Sequence, residues 1–215
     1  MNEQAFDAMR RAMVASQLRT TGVSDPHVIA AIGAVPREAF VTPGRRALAY
    51  ADVPVPLGNG RVLNNAMVLG RLLTEARPRP GERALVIGAA TGYSVAVLQA
   101  MALDVVALEE DAGLAAAARA ALDGGGALVE GPLARGWPAA APYDLILIDG
   151  AVEGVPDAVV HQLRDGGRLV CAILERGVSR LAIGRRAGDG FGLVTFADAE
   201  MAPLPGFARP KQFSF

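Results

Sequence analysis

The feature that most constrains the fold of this chain is an apolar segment that breaks into a glycine turn and continues as a helix. Residues Ala84–Ile87 are all apolar, which is typical of a buried strand, and Gly88 and Gly92 follow it closely. Glycine adopts backbone conformations that are costly for other residues, and it lets a ligand approach the chain. The helix predicted over Ser94–Met101 offers unpaired N–H groups at its start. This order of elements predicts a binding site for an adenosine-type ligand.

Strand-like and helix-like segments alternate from this point on. The strand candidates are Ala84–Ile87, Val105–Leu108, Ala127–Glu130, Leu145–Ile148 and Arg168–Leu174. The helix candidates between them are Ser94–Met101, Ala112–Leu122 and Val155–Leu163. Such alternation with short turns is typical of an α/β fold with a doubly wound, mostly parallel sheet. A closing antiparallel β-hairpin is predicted from Phe191–Phe196 and Gln212–Phe215, joined through Pro203–Gly206.

The residues before the glycine turn have a different pattern. Helical spacing of apolar side chains predicts a helix over Glu3–Leu18 and a second helix over Pro26–Ala34, with Asp25 as its N-cap. Residues 43–60 are rich in proline, glycine and small side chains, and we expect a long surface loop there, a kind of segment that is often functional. A third helix is predicted after Asn64 and Asn65.

Length, composition and charge limit the class of protein. The chain has 215 residues, of which 52% are apolar and 20% are charged, so we expect one globular domain over residues 1–215. Within it, residues 1–80 would supply helices and a substrate loop, and residues 81–215 the ligand-binding core. The formal net charge of −1 provides no field that would attract nucleic acid or an anionic membrane, so neither is expected as a partner.

The cysteine count and the hydropathy pattern limit the kinds of site and the cellular compartment that we expect. The single cysteine, Cys171, excludes an intrachain disulfide and a multi-cysteine zinc site, and no metal is expected. The chain contains neither the apolar core of a signal peptide nor a run of about 18 apolar residues. We therefore expect a cytoplasmic protein.

Glu109 indicates which adenosine-type ligand to expect. An acidic residue about 20 positions after a glycine turn, at the tip of the next strand, is placed to accept hydrogen bonds from ribose hydroxyls. Tyr93 stands where a dinucleotide fingerprint has its third glycine. Gly88 and Gly92 instead fit the G-x-G-x-G spacing of S-adenosylmethionine sites, with Ala90 in the middle position. The alternative is a glycine turn that holds no ligand.

Several segments together resemble the protein-L-isoaspartate O-methyltransferases. The similar segments are Met13–Val41, which contains VPRE, Ala49–Gly60 with its Pro-Leu-Gly-x-Gly loop, and His161–Val170, which contains QLR. The resemblance implies a seven-stranded, Rossmann-like methyltransferase sheet with an antiparallel C-terminal hairpin. It also implies S-adenosylmethionine as cofactor and protein or peptide substrates, whose isoaspartyl carboxylates are methylated as part of repair.

The resemblance also assigns roles to individual residues. It places the cofactor beside Gly88, Ala89, Ala90, Gly92, Tyr93, Glu109, Glu110, Gly131 and Pro132. Asp149, at the carboxyl end of a central strand, is expected beside the cofactor amine or the substrate, and the alternative is that it only caps the next loop. The resemblance places the substrate beside Leu57, Gly58, Gly60 and Leu63, with Asn64 at the position of the family's catalytic serine. Val86 and Pro132 stand where the family carries acidic residues that organise the turn and reach the adenine amine.

These departures leave alternatives open. Asn64 or Asn65 could serve only as the N-cap of the helix that follows, since asparagine is a preferred cap. The chain could keep the fold without catalysis and act through cofactor or protein binding, or it could methylate a different acceptor. Methylation of a carboxylate needs positioning more than acid–base chemistry, because a free carboxyl is already ionised at neutral pH.

Overall fold

The amino-terminal third of the chain consists of helices and one small hairpin. In the computed structural model, which describes residues 2–209, its elements are α1 (Glu3–Met13), α2 (Pro26–Ala34), β1 (Val55–Gly58), β2 (Arg61–Leu63) and α3 (Ala66–Ala76). The side chain of Asp25 accepts hydrogen bonds from the backbone N–H groups at the start of α2, as the N-cap prediction requires. The loop expected over residues 43–60 contains a 3₁₀ helix, Pro43–Leu48, and strand β1.

The rest of the chain forms the sheet and its connecting helices. Its elements are β3 (Arg83–Ile87), α4 (Tyr93–Ala100), β4 (Asp104–Glu109), α5 (Ala112–Ala121), β5 (Ala127–Glu130), β6 (Tyr143–Val152), α6 (Asp157–Val160), β7 (Leu163–Glu175), β8 (Val178–Ala187) and β9 (Gly190–Asp198). The seven strands lie in the order β5–β4–β3–β6–β7–β8–β9. Strands β3 to β7 are parallel, and β8 is antiparallel to both of its neighbours. The predicted α/β sheet is confirmed.

The central strands contain uninterrupted apolar runs because both faces of the sheet are covered. In β3, Ala84 and Val86 face the core shared with α2, α3 and α4, whereas Leu85 and Ile87 face the core on the opposite side. All four side chains are fully buried. A strand that is covered on both sides by crossover elements loses the alternation of polar and apolar residues.

Two predictions near the C-terminus need correction. Phe191–Phe196 lies in β9, which pairs antiparallel with β8, so the described hairpin is β8–β9 and Phe191–Phe196 belongs to its second strand. Strand Val178–Ala187 was missed because arginines interrupt its apolar residues where the strand meets solvent. Gln212–Phe215 lies outside the described residues. The helix predicted over Val155–Leu163 contains a single helical turn, α6.

Arg168 fastens the amino-terminal edge of the sheet. Its guanidinium forms an ion pair with Glu82 (Nη2–Oε2 2.6 Å) and donates to the carbonyls of Ala76 and Arg77 at the end of α3. It also donates to the carbonyl of Asp144 in β6. Only 7% of Arg168 is exposed, so one buried cation joins four segments of the chain.

No helix among residues 2–209 has the length and apolar character needed to cross a bilayer.

We expect Arg168→Met to lower the free energy of unfolding by about 3 kcal/mol, because it leaves Glu82 and several carbonyls without their partner. The matched control is Arg164→Met. Arg164 pairs with Asp144 at the exposed surface, and its loss should cost less than about 1 kcal/mol. Urea unfolding of both variants measures the difference. Equal costs would show that Arg168 does not fasten this edge.

Candidate functional site

The glycine turn lies at the carboxyl end of β3 and leads directly into α4. Gly88 and Gly92 have φ angles of +79° and +96°, in the left-handed region that glycine tolerates. Ala90 also has a positive φ, +49°, which is strained for a residue with a side chain. Gly92 is the N-cap residue of α4 and offers no side-chain cap. The turn is therefore held by something outside itself.

Two neighbouring residues at the end of β4 hold it: the Leu108 carbonyl accepts from the N–H groups of Gly88 and Ala89, and Glu109 contributes its carboxylate. Its side chain is fully buried. Its Oε2 accepts from the backbone N–H of Ala90 at 2.7 Å, and its Oε1 accepts from those of Glu110 at 2.9 Å and Asp111 at 3.1 Å. Three backbone donors thus fix the carboxylate and compensate part of its charge.

The fourth donor to Glu109 is the side chain of Arg61 in β2. Its Nη1 lies 2.7 Å from Oε1 of Glu109, and its Nη2 lies 3.0 Å from the carbonyl oxygen of Gly88. Arg61 is 7% exposed. The edge of Glu109 that was predicted to face a ribose therefore faces a guanidinium of the same chain.

Leu204 covers the turn from a second direction. The segment around it runs beside β6, where Ala151 N–H donates to Ala202 and Leu204 N–H donates to Ala151, both at 2.9 Å. A Cβ atom built on Gly88 would lie 3.0 Å from Leu204 Cδ1 and 3.2 Å from Arg61 Nη2. These two side chains fill the space that a ligand would need beside Gly88.

The two neighbouring asparagines have separate contacts. The side chain of Asn65 accepts from the N–H of Val68 at 3.2 Å and caps α3. The side chain of Asn64 is not used as a cap. Its Nδ2 donates to Oδ1 of Asp149 at 3.0 Å, so it points toward the carboxyl end of β6.

A buried polar cluster surrounds this pair. Arg37 is 1% exposed and donates to the carbonyls of Ala49 at 2.7 Å and Asn64 at 2.9 Å. Its Cζ lies 4.6 Å from the centroid of the Tyr93 ring, within the range of a cation–π contact. Among the described residues, four buried polar atoms here lack hydrogen-bond partners, namely Arg37 Nη1, Asn64 Oδ1, Tyr93 OH and Ser94 Oγ.

Burial raises the pKa of the Asp149 carboxyl above its usual value, while the nearby Ser94 and Asn64 side chains and the cations Arg61 and Arg37 oppose the rise. Burial also raises the pKa of Tyr93, again against the effect of Arg37. Both groups therefore favour the neutral form more than they would in water.

The other predicted residues occupy three places. Ala89, like Tyr93, is buried within the turn. Glu110, Gly131 and Pro132 line a shallow, open depression beside the end of β4. Leu57, Gly58, Gly60 and Leu63 lie in the β1–β2 hairpin, where Leu63 is buried in the core and both glycines are exposed. The structure thus gathers the glycine turn, Glu109, Asn64 and Asp149 at one edge of the sheet.

Sequence reasoning missed Arg61, Leu204 and Arg37. Arg61 directly follows the Pro-Leu-Gly-x-Gly loop and alternates with Val62 in β2, so its inward direction could have been inferred had the strand been recognised. Arg37 belongs to the VPRE segment, whose charged residues read as a solvated turn. Leu204 carried no signal beyond its position between two prolines. Among residues 2–209 there is no group of three or more metal-binding side chains.

Comparison with known proteins shows that the sequence is similar to members of one enzyme family. Residues 9–198 match the family model described as protein-L-isoaspartate(D-aspartate) O-methyltransferase. A protein-L-isoaspartate O-methyltransferase of Methylorubrum populi is 40% identical over 202 residues, which cover 92% of this chain and 95% of that protein. A protein-L-isoaspartate O-methyltransferase 1 of Rhodopseudomonas palustris is 39% identical, with 94% and 85% covered.

Solved structures show the same fold at lower identity. One protein-L-isoaspartate O-methyltransferase superposes with a TM-score of 0.81 at 22% identity and covers 92% of this chain and 66% of that one. A second, a putative protein from Plasmodium falciparum solved with S-adenosyl-L-homocysteine, gives a TM-score of 0.77 at 16% identity, with 93% and 97% covered.

We expect Asp149→Asn to stabilise the protein at neutral pH. The pKa of Asp149 is raised by folding, so the folded state binds the proton more tightly, and the carboxyl destabilises the fold once pH rises above its unfolded value of 3.8. Asparagine keeps an acceptor for Asn64 without a charge. In urea unfolding between pH 5 and pH 8, the advantage of the variant should be largest at pH 8. An advantage that grows toward pH 5 would contradict the assignment.

Proposed function

Because this chain belongs to the protein-L-isoaspartate O-methyltransferase family, we propose that it transfers a methyl group from S-adenosylmethionine to isoaspartyl carboxylates of proteins or peptides. The observation that carries the proposal is the gathering of the glycine turn, Glu109, Asn64 and Asp149 at the carboxyl ends of β3, β4 and β6. Ligands of parallel α/β sheets bind at this edge.

The residues that would hold the cofactor are present, although two side chains must move first. The turn from Gly88 to Tyr93 would accommodate the amino-acid part, Glu109 would accept from the ribose hydroxyls, and the depression at Glu110, Gly131 and Pro132 would take the adenine. In the described conformation Arg61 and Leu204 lie against Gly88. When bound, S-adenosylmethionine supplies an activated methyl group.

The polar cluster supports a negatively charged acceptor. Arg37 is a buried cation for which the described residues provide no ion-pair partner, and its Nη1 is free of hydrogen bonds. A carboxylate brought near it would gain a compensating charge in a site of low polarity. The raised pKa of Asp149 reduces the repulsion that an ionised aspartate would exert on such an acceptor. Asn64 would then orient the acceptor through its amide.

A second candidate is a homologue that keeps the fold and does not catalyse transfer. The observations that favour it are the burial of Arg61 against Glu109 and asparagine at the position of the family's serine. In that case the same surface would act by binding the cofactor or a protein. Methyl transfer separates the two candidates.

The substrates and the cellular location are also part of the proposal. Protein or peptide substrates follow from the family, and we infer a cytoplasmic location.

We expect the wild-type protein to methylate an isoaspartyl peptide and to leave the matching aspartyl peptide unmodified. Asn64→Ala should lower kcat/KM by about tenfold, because the acceptor loses one orienting hydrogen bond, whereas Asn64→Ser keeps a donor and should retain activity. The control is Asn65→Ala, which removes the cap of α3 and should cost about 1 kcal/mol of stability with kcat/KM unchanged.

Transfer of labelled methyl groups at saturating cofactor measures these values. Equal methylation of both peptides would contradict isoaspartyl specificity. If the wild type is inert and only Asn64→Ser is active, isoaspartyl repair is not the role of this chain, and the second candidate stands.

A further inference from the structure

The ribose-facing edge of Glu109 is taken by Arg61. Among the four donors to this carboxylate, three are backbone N–H groups of Ala90, Glu110 and Asp111, and only Arg61 contributes a side chain. The three backbone donors belong to the glycine turn and to the end of β4, which the sheet holds in place. Arg61 is therefore the one partner that can leave without unfolding the edge of the sheet.

Departure of Arg61 does not leave Glu109 uncompensated. The carboxylate would keep three hydrogen bonds from backbone N–H groups, which compensate part of its charge. Only Nη1 of the guanidinium donates to Glu109, because Nη2 donates to the carbonyl of Gly88. A ribose hydroxyl could take the place of the Nη1–H group on Oε1 of Glu109. A ligand that offers such a hydroxyl competes with Arg61 for one acceptor.

The element that carries Arg61 is lightly attached at this edge. The turn between β1 and β2 is exposed at Gly58, Asn59 and Gly60. Among residues 2–209, this turn forms one side-chain hydrogen bond with the segment after β4, from Asn59 Nδ2 to Asp111 Oδ2, at 2.6 Å on the surface. Exposed polar contacts of this kind contribute little, because water competes for both groups.

We propose that Arg61 is a gate for the cofactor: it closes the site by pairing with Glu109, and the cofactor must displace it to bind. This rests on the proposed function, since it assumes that Glu109 receives the ribose of S-adenosylmethionine. The β1–β2 hairpin continues into Asn64, so the gate and the acceptor position belong to one continuous segment. Withdrawal of Arg61 therefore couples cofactor entry to the place where the acceptor would bind.

The test is calorimetry with S-adenosyl-L-homocysteine on the full chain. Arg61→Ala removes the competing cation and should tighten Kd by about tenfold or more, the change expected for one buried charge-assisted hydrogen bond that no longer has to be broken. Arg61→Lys keeps a cation with a different shape and should fall between Arg61→Ala and the wild type. Arg180→Ala is the matched control, because Arg180 pairs with Asp198 at the surface of the C-terminal hairpin and should leave Kd unchanged.

Each outcome has a distinct meaning. Tighter binding by Arg61→Ala, or binding by that variant alone, supports the gate. Equal binding by wild type and variant overturns the gate and leaves the proposed function standing. Weaker binding by the variant overturns it too, because Arg61 would then be a ligand of the cofactor. Absence of binding in both proteins removes the gate and the methyltransferase proposal together.

A second measurement needs no substitution and so does not depend on whether Arg61→Ala folds. In amide hydrogen exchange of the wild type, addition of S-adenosyl-L-homocysteine should slow exchange at residues 88–92 and speed it at residues 58–63 as the hairpin is released. Slower exchange in both segments would show that the hairpin closes over the ligand, and would overturn the gate.

Discussion

The carboxylate of Glu109 is the interaction on which the rest of the site depends. It joins the ends of β3 and β4 by accepting from the backbone N–H of Ala90 in the turn and of Glu110 and Asp111 after the strand. A turn with an alanine in the left-handed region needs an external group to hold it. The family resemblance expects an acidic residue at the position of Val86 to organise this turn. In this chain that work falls to Glu109.

Glu109 holds the turn through Ala90 and also pairs with Arg61. Its surroundings in the structure therefore differ from those expected from the sequence. The sequence predicted that Glu109 lies at the carboxyl edge of the sheet, because strand periodicity and the spacing from Gly88 are local signals. The one side chain that donates to its carboxylate, Arg61, comes from 48 positions earlier in the chain. Such long-range contacts depend on where the β1–β2 hairpin docks, and a segment read as an irregular loop gives no information on docking.

The same difference between local signals and long-range contacts applies to the whole fold. Strands β3, β4, β6 and β7 could be predicted because burial on both faces leaves uninterrupted apolar runs such as Leu145–Ile148. Strand β8 could not, because the exposed Arg180 and Arg185 and the half-buried Arg186 interrupt its apolar pattern. Asn64 and Asn65 are chemically identical, and only the three-dimensional arrangement shows that Asn65 caps α3 while Asn64 contacts Asp149.

The position of Arg168 has a consequence for how the molecule can move. Its ion pair and carbonyl contacts join α3, β3, β6 and β7 at the amino-terminal edge of the sheet, opposite the edge that carries Glu109. The amino-terminal edge is thus held by a buried cation that joins several segments, whereas at the carboxyl edge the Arg61–Glu109 pair joins the β1–β2 hairpin to the sheet. Local opening of the structure should accordingly occur at the carboxyl edge of the sheet, where Glu109 lies. The rest of the sheet should stay closed during these small motions.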